Sequence, residues 1–247
     1  MIRHYYRMRL RDPRQWGIFA LLAGCSLLLA ALSQMQNIQI HAPAAGAAAA
    51  FQAGMNAVWG VQPMVFYEIP IYLVFLLFSQ KIFLRTAVQA RFSSQRSFWG
   101  HWFLATAADA GIYTGVLYAL LLFRFLLSGQ AGALQGRGEA LAQSAVLQFL
   151  TLLLMGVLFS ALNFLTRRTV VGFLAVYLMA LSDFVVSNVS DGNGPFPVFF
   201  LKTLCPYPYF LSAFAQSAIL LAGILAAALL VLPVLSDSMD SLQKEAV

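Results

Sequence analysis

The feature that most constrains this chain is a series of long apolar segments separated by short polar stretches. None of them alternates apolar and polar residues in the way that a membrane β-strand does. At ~1.5 Å of rise per residue, a helix of about twenty residues crosses the ~30 Å hydrocarbon core of a bilayer. Six segments meet this requirement, the fifth only just: residues 16–33, 64–83, 99–127, 142–165, 170–186 and 210–235.

The composition indicates that the surface of this protein faces an apolar solvent. Of the 247 residues, 61% are hydrophobic and only 10% are charged, whereas about 25% of the residues in a soluble domain are charged. Segments exposed to lipid must satisfy their backbone hydrogen bonds internally, which favours helices. We therefore predict an all-α, polytopic integral membrane protein with six transmembrane helices, forming a single transmembrane domain over residues 1–247.

The basic residues predict the orientation. Twelve of the fifteen Lys and Arg residues fall on the side of the membrane that would also hold both termini. Cytoplasmic loops carry an excess of Lys and Arg, so we expect a multi-pass protein of the plasma membrane with both termini in the cytoplasm. The net charge of +6 is thereby attributed to membrane orientation, and no nucleic-acid partner is expected.

Two segments outside the predicted spans have patterns of their own. Arg3, Arg7, Arg11 and Arg14 fall on one face of a helix, which fits an interfacial helix that pairs with anionic membrane lipid. The alternative is a basic leader that only sets topology. Residues 187–209 begin with turn formers and continue with aromatic residues broken by prolines, which predicts a re-entrant segment between spans five and six.

The sequence contains few groups that could carry chemistry. It has no HExxH, GxSxG or Walker-type motif, and its two cysteines form no metal-binding pattern, so we expect neither enzymatic activity of its own nor a metal site. Three acids, Glu68, Asp109 and Asp183, lie at membrane depth. Carboxylates there need a partner or a water-lined cavity. They either form a polar pathway or fix the packing of neighbouring helices.

The link between spans two and three, residues 84–98, is the most specific cytoplasmic feature. Leu84, Val88 and Phe92 recur at helical spacing with Arg and Gln on the remaining surface. This pattern predicts a short amphipathic helix beneath the membrane. It fits a docking element or, equally, a topological anchor.

The stretch RFSSQRSFW at residues 91–99 resembles the loop of bacterial six-span permeases of the second ABC-exporter class, which often export antimicrobial peptides. The resemblance implies a separate ABC ATPase that binds ATP and Mg²⁺, a second permease subunit, and no cofactor in this chain. It also implies that the loop 84–98 is a coupling helix and that the turn at 166–169 is a second ATPase contact. The implied coupling residues are Arg85, Val88, Arg91, Phe92, Ser94, Arg96, Arg167 and Arg168.

Two other functions compete with this interpretation. An ion-coupled secondary transporter would depend on Asp109, Glu68 and Asp183 for flux. An accessory or immunity-type membrane protein would bind a partner without transporting anything.

Overall fold

The computed structural model describes residues 13, 16–21, 23–24, 51, 55, 64–80, 95–127, 131–166, 168–189, 214–215 and 217–230. This part of the chain is helical throughout and contains no strand, which confirms the predicted all-α class over these ranges. A π-helical turn, Met64–Glu68, continues into helix α1, Ile69–Gln80. The other helices are α2 (Gln95–Leu127), α3 (Gly138–Thr166), α4 (Thr169–Val189) and α5 (Ser217–Leu230).

Helices α2 and α3 are long and apolar enough to cross a membrane. With 33 and 29 residues, they extend over about 50 and 44 Å at ~1.5 Å per residue. They contain the predicted spans 99–127 and 142–165. Three further apolar helices, shorter over their described residues, overlap the predicted segments 64–83, 170–186 and 210–235. The remainder of the first segment and the full six-span arrangement lie outside what is described.

Helices α2 and α3 are antiparallel neighbours. Phe98 near the start of α2 packs on Phe164 near the end of α3, with ring centroids 5.5 Å apart. At the opposite end, the hydroxyl of Tyr118 is hydrogen-bonded to that of Ser144. The described part of the connection between them, residues 131–137, contains a short 3₁₀ turn, Ala131–Leu134, and Gly136 at φ 73°. This left-handed conformation is one that glycine adopts at no steric cost.

Helix α1 lies against both of them, antiparallel to α2 and parallel to α3. Gln80, at its end, donates to the hydroxyl of Thr106, and the Tyr113 hydroxyl donates to the carbonyl oxygen of Glu68, 2.8 Å away. On α3, Ser160 is hydrogen-bonded to Gln80. The buried centre of these three helices includes Tyr113, whose ring centroid lies 5.0 Å from that of Tyr72 and 5.9 Å from that of Phe75.

Two glycines allow helices to approach closely. A Cβ atom at buried Gly156 would lie 2.8 Å from Cγ2 of Thr106 and 2.9 Å from the hydroxyl oxygen of Tyr72. In the α3–α4 hairpin, a Cβ at buried Gly172 would lie 3.0 Å from the carbonyl oxygen of Phe159. Helix pairs inside membranes use small residues in this way, because packing replaces the hydrophobic effect as the force that holds them together.

Candidate functional site

A column of buried polar side chains runs through the interface of α1, α2 and α3. On α3, Ser144, Gln148 and Thr151 recur at helical spacing and Ser160 lies nine residues further on, so these members extend over about 24 Å along the axis at ~1.5 Å per residue. Buried Asn163 lies instead against Gly172 of α4. The buried polar residues of the described chain are Glu68, Ser79, Gln80, Thr106, Asp109, Thr114, Ser144, Gln148, Thr151, Ser160 and Asn163.

One part of the column, the Asp109 cluster, consists of Ser79, Gln80, Thr106, Asp109 and Ser160. The Ser79 hydroxyl donates to Oδ2 of Asp109 over 2.7 Å, and Nε2 of Gln80 donates to Oγ1 of Thr106 over 3.2 Å. Ser160 on α3 donates to the side-chain oxygen of Gln80. Since these bonds join all three helices, they fix the register of α1 against its neighbours. A hydrogen-bonded buried network of this kind specifies one arrangement among many of similar apolar packing.

A second part, the Glu68 cluster, consists of Glu68, Thr114, Gln148 and Thr151. All four side chains are at most 7% exposed. Within the described chain, Oε2 of Glu68, both Thr hydroxyls and both amide atoms of Gln148 have no hydrogen-bond partner. Buried polar atoms in folded proteins are nearly always paired. The two clusters therefore differ: hydrogen bonds between side chains link the members of the Asp109 cluster, whereas these atoms of the Glu68 cluster are open to further bonds.

The helix register brings the Glu68 cluster together. Thr114 lies one turn from Tyr118 on α2, and Gln148 lies one turn from Ser144 on α3, next to the contact between Tyr118 and Ser144. The Tyr113 hydroxyl donates to the backbone carbonyl oxygen of Glu68, so Glu68 lies at the level of Tyr113 and its neighbour Thr114. The predicted acids Glu68 and Asp109 therefore share one interface. Asp109 is hydrogen-bonded to Ser79 of α1, and Ser79 lies eleven residues after Glu68 along the chain. This separation is about 16 Å at ~1.5 Å per residue, so the acids form no carboxylate pair.

An aromatic cluster closes the end of the bundle where α2 begins and α3 ends. Trp99 lies 5.2 Å from both Trp102 and Phe164, measured between ring centroids, and Phe98 lies 5.4 Å from Trp99. Trp102 and Phe98 are buried. This cluster fastens the first turns of α2 to the last turns of α3, next to the turn at Thr166 and Arg168.

The structure describes only some of the residues predicted from the sequence. Arg96 lies in the first turn of α2, and Arg168 is exposed in the turn between α3 and α4. Asp183 lies on α4, although its side chain is outside the described part. Residues 190–209 of the predicted re-entrant segment are also outside it. So are the positions Arg3, Arg7, Arg11, Arg14, Arg85, Val88, Arg91, Phe92, Ser94 and Arg167.

The sequence interpretation missed the neutral members of the polar column. On α3, Ser144, Gln148 and Thr151 are spaced four and three residues apart. Polar residues that recur at this spacing within an apolar helix lie on one face. That pattern was the available signal for a polar helix interface. Comparisons of the chain with protein-family profiles, curated proteins and solved structures find no match.

Proposed function

We propose that this chain is the transmembrane permease subunit of an ATP-driven ABC transporter. In this proposal the chain has six spans in the plasma membrane, with both termini cytoplasmic, and pairs with a second permease subunit. A separate ABC ATPase binds ATP and Mg²⁺ and moves the loop 84–98, and the cargo is an exported peptide or another amphipathic molecule. The direction of transport and the class of cargo come from the resemblance of residues 91–99 alone.

The observation that carries the proposal is the aromatic cluster. It ties the first turns of α2 to the end of α3, so residues 95–98, the described end of the proposed coupling loop, lie at the same end of the bundle as the turn around Arg168. A displacement of the loop would thereby act on α2 and α3 together. Because α2 is continuous over 33 residues, the same displacement would reach its opposite end about 50 Å away, taking ~1.5 Å per residue.

The proposal is tested by co-purification. The tagged chain is expressed with the ATPase partner identified by mild-detergent affinity capture, and the Phe92→Ala/Arg96→Glu double variant is compared with Arg137→Gln. Arg137 is a matched basic control, because it lies at the opposite end of α2 and α3. We expect the double variant to capture at least about tenfold less ATPase than the wild-type chain, equivalent to ~1.4 kcal/mol of binding free energy. The complex that it still forms should show no cargo-stimulated ATP hydrolysis.

The control variant should retain both signals. Unchanged capture and unchanged transport by the double variant would contradict the proposed coupling role. Failure to capture any ATPase would contradict the permease assignment itself.

The buried polar column favours a second candidate, an ion-coupled secondary transporter. Asp109 is fully buried between α1 and α2 and hydrogen-bonded to Ser79, and intramembrane carboxylates in such positions often mark ion pathways. In this case purified protein in proteoliposomes would move cargo along an ion gradient without any ATPase. Asp109→Asn would abolish that flux, whereas an ABC permease would show no gradient-driven flux in the first place.

A further inference from the structure

The Glu68 cluster offers a set of unsatisfied oxygen ligands inside the helix bundle. Its free acceptors are a carboxylate oxygen of Glu68, an amide oxygen of Gln148 and the hydroxyl oxygens of Thr114 and Thr151. The four side chains come from the start of the α1 segment, the middle of α2 and the first half of α3. Three helices therefore contribute to one site, and separating any one of them would take it apart.

Contacts on either side of the cluster limit its size. Tyr113, adjacent to Thr114, donates to the backbone of Glu68 over 2.8 Å, and Tyr118 contacts Ser144. Gln148 and Thr151 follow Ser144 by four and seven residues on the same face of α3. The cluster members thus lie within about two helical turns of one another along the bundle axis.

The backbone at Glu68 is itself irregular. Residues Met64–Glu68 form a π-helical turn directly before α1. Single π-helical turns often occur at functional sites, because they change the direction of side chains and carbonyl groups relative to a regular α-helix. Non-α backbone carbonyls also coordinate small cations in transport proteins.

The chemistry of these ligands selects the occupant. Carboxylate, amide and hydroxyl oxygens are hard ligands that suit alkali and alkaline-earth cations. The cluster carries one carboxylate, so a single positive charge balances it, whereas a divalent ion would remain undercompensated in a buried site. We propose that the Glu68 cluster is a binding site for a monovalent inorganic cation, held by Glu68, Thr114, Gln148 and Thr151. This proposal does not depend on the permease assignment.

The test is cation-dependent stability of the full-length protein in lipid nanodiscs. Thermal unfolding is followed by tryptophan emission while sodium chloride replaces choline chloride at constant ionic strength, with potassium chloride as a parallel series. A ligand that binds only the folded state raises Tm, by about 3–6 °C at ten times its Kd for a chain of this size. We expect a saturable increase with sodium or potassium and none with choline.

Three variants locate the effect. Glu68→Gln should lose the cation-dependent increase in Tm, and Thr151→Val, which keeps the side-chain shape, should weaken apparent cation affinity by at least about tenfold. Glu139→Gln is the matched control, because it removes an exposed carboxylate at the start of α3 that belongs to neither polar cluster, and it should retain the full increase. If Glu68→Gln does not fold, Thr151→Val still carries the test.

Two results would overturn the proposal. One is identical unfolding in sodium, potassium and choline chloride. The other is a cation-dependent increase that persists unchanged in Thr151→Val and Glu68→Gln. Stabilisation of the wild-type protein by mild acidification, with no response to either cation, would instead identify the occupant as a proton and equally exclude the cation site.

Discussion

At the scale of single residues, Gly156 decides how closely three helices meet. The nearest atoms to a Cβ at this position belong to Thr106 on α2 and to Tyr72 and Leu76 on α1. Two of the three lie at 2.8 and 2.9 Å, shorter than any ordinary van der Waals contact, and Gly156 also accepts a hydrogen bond from Ser160. A side chain here would push α1 and α2 away from α3 and so disturb the Asp109 cluster.

We predict that Gly156→Ala destabilises the protein by about 1–3 kcal/mol, the usual cost of overpacking a core. Gly115→Ala is the matched control, since nothing lies within 4 Å of a Cβ at that position, and replacing a helical glycine with alanine there should be neutral or stabilising by up to ~1 kcal/mol. Thermal unfolding in nanodiscs compares the two. Equal stability of both variants would show that the helices at Gly156 are not so closely packed.

A second prediction at the residue scale concerns the Ser79 hydroxyl. It donates to the buried carboxylate of Asp109 over 2.7 Å, and losing a hydrogen bond to a buried charged group costs about 1–3 kcal/mol. Ser79→Ala should therefore destabilise the protein by that amount. Ser182→Ala should have little effect on stability, because the hydroxyl of exposed Ser182 donates a hydrogen bond to the carbonyl oxygen of Met179 in its own helix. Equal unfolding midpoints would contradict the role of Ser79.

At the scale of elements, α2 is held at its start by aromatic packing and along its length by polar contacts. Phe98, Trp99 and Trp102 all contact Phe164 of α3, with ring centroids 5.2–6.3 Å apart. Edge-to-face pairs of this kind contribute about 0.5–1.5 kcal/mol each beyond the area they bury. Phe164 is therefore the residue through which the base of α2 is fastened to α3.

We predict that Phe164→Ala lowers stability by about 2–4 kcal/mol, somewhat less than a fully buried Phe→Ala. Phe123→Ala, on the exposed face of α2, should cost much less. Under the proposed permease function, Phe164→Ala should also reduce transport more than it reduces ATPase capture, since the loop would still bind but would no longer move α3. A parallel loss of capture and transport would argue against this mechanical link.

At the scale of the whole molecule, the two ends of α3 test the topology. Exposed Gln135 precedes α3 and exposed Arg168 follows it, and a spanning helix places these positions on opposite sides of the membrane. The positive-inside bias predicts Arg168 in the cytoplasm and Gln135 outside.

Single-cysteine variants at these positions, in a background with Cys25 and Cys205 replaced by Ser, provide the measurement. An impermeant maleimide should label Gln135→Cys in intact cells and Arg168→Cys only after permeabilisation. Labelling of both positions from the same side would contradict a spanning α3. The reverse pattern would keep the span but invert the predicted orientation.

The long apolar runs determined the class of structure and the position of α2 and α3, because hydrophobic length and helical period are properties of consecutive residues. They also pointed to Glu68 and Asp109, since carboxylates stand out in an apolar segment. What only the tertiary structure decided is which neutral residues join them. The spacing of Gln148 from Ser144 and Thr151 indicates a polar helix face, but it does not show which residues on other helices it meets. Gln148 and Ser160 become members of separate polar clusters only because Gly156 lets three helices meet at one register. Contacts between distant helices depend on that register, and local sequence patterns do not specify it.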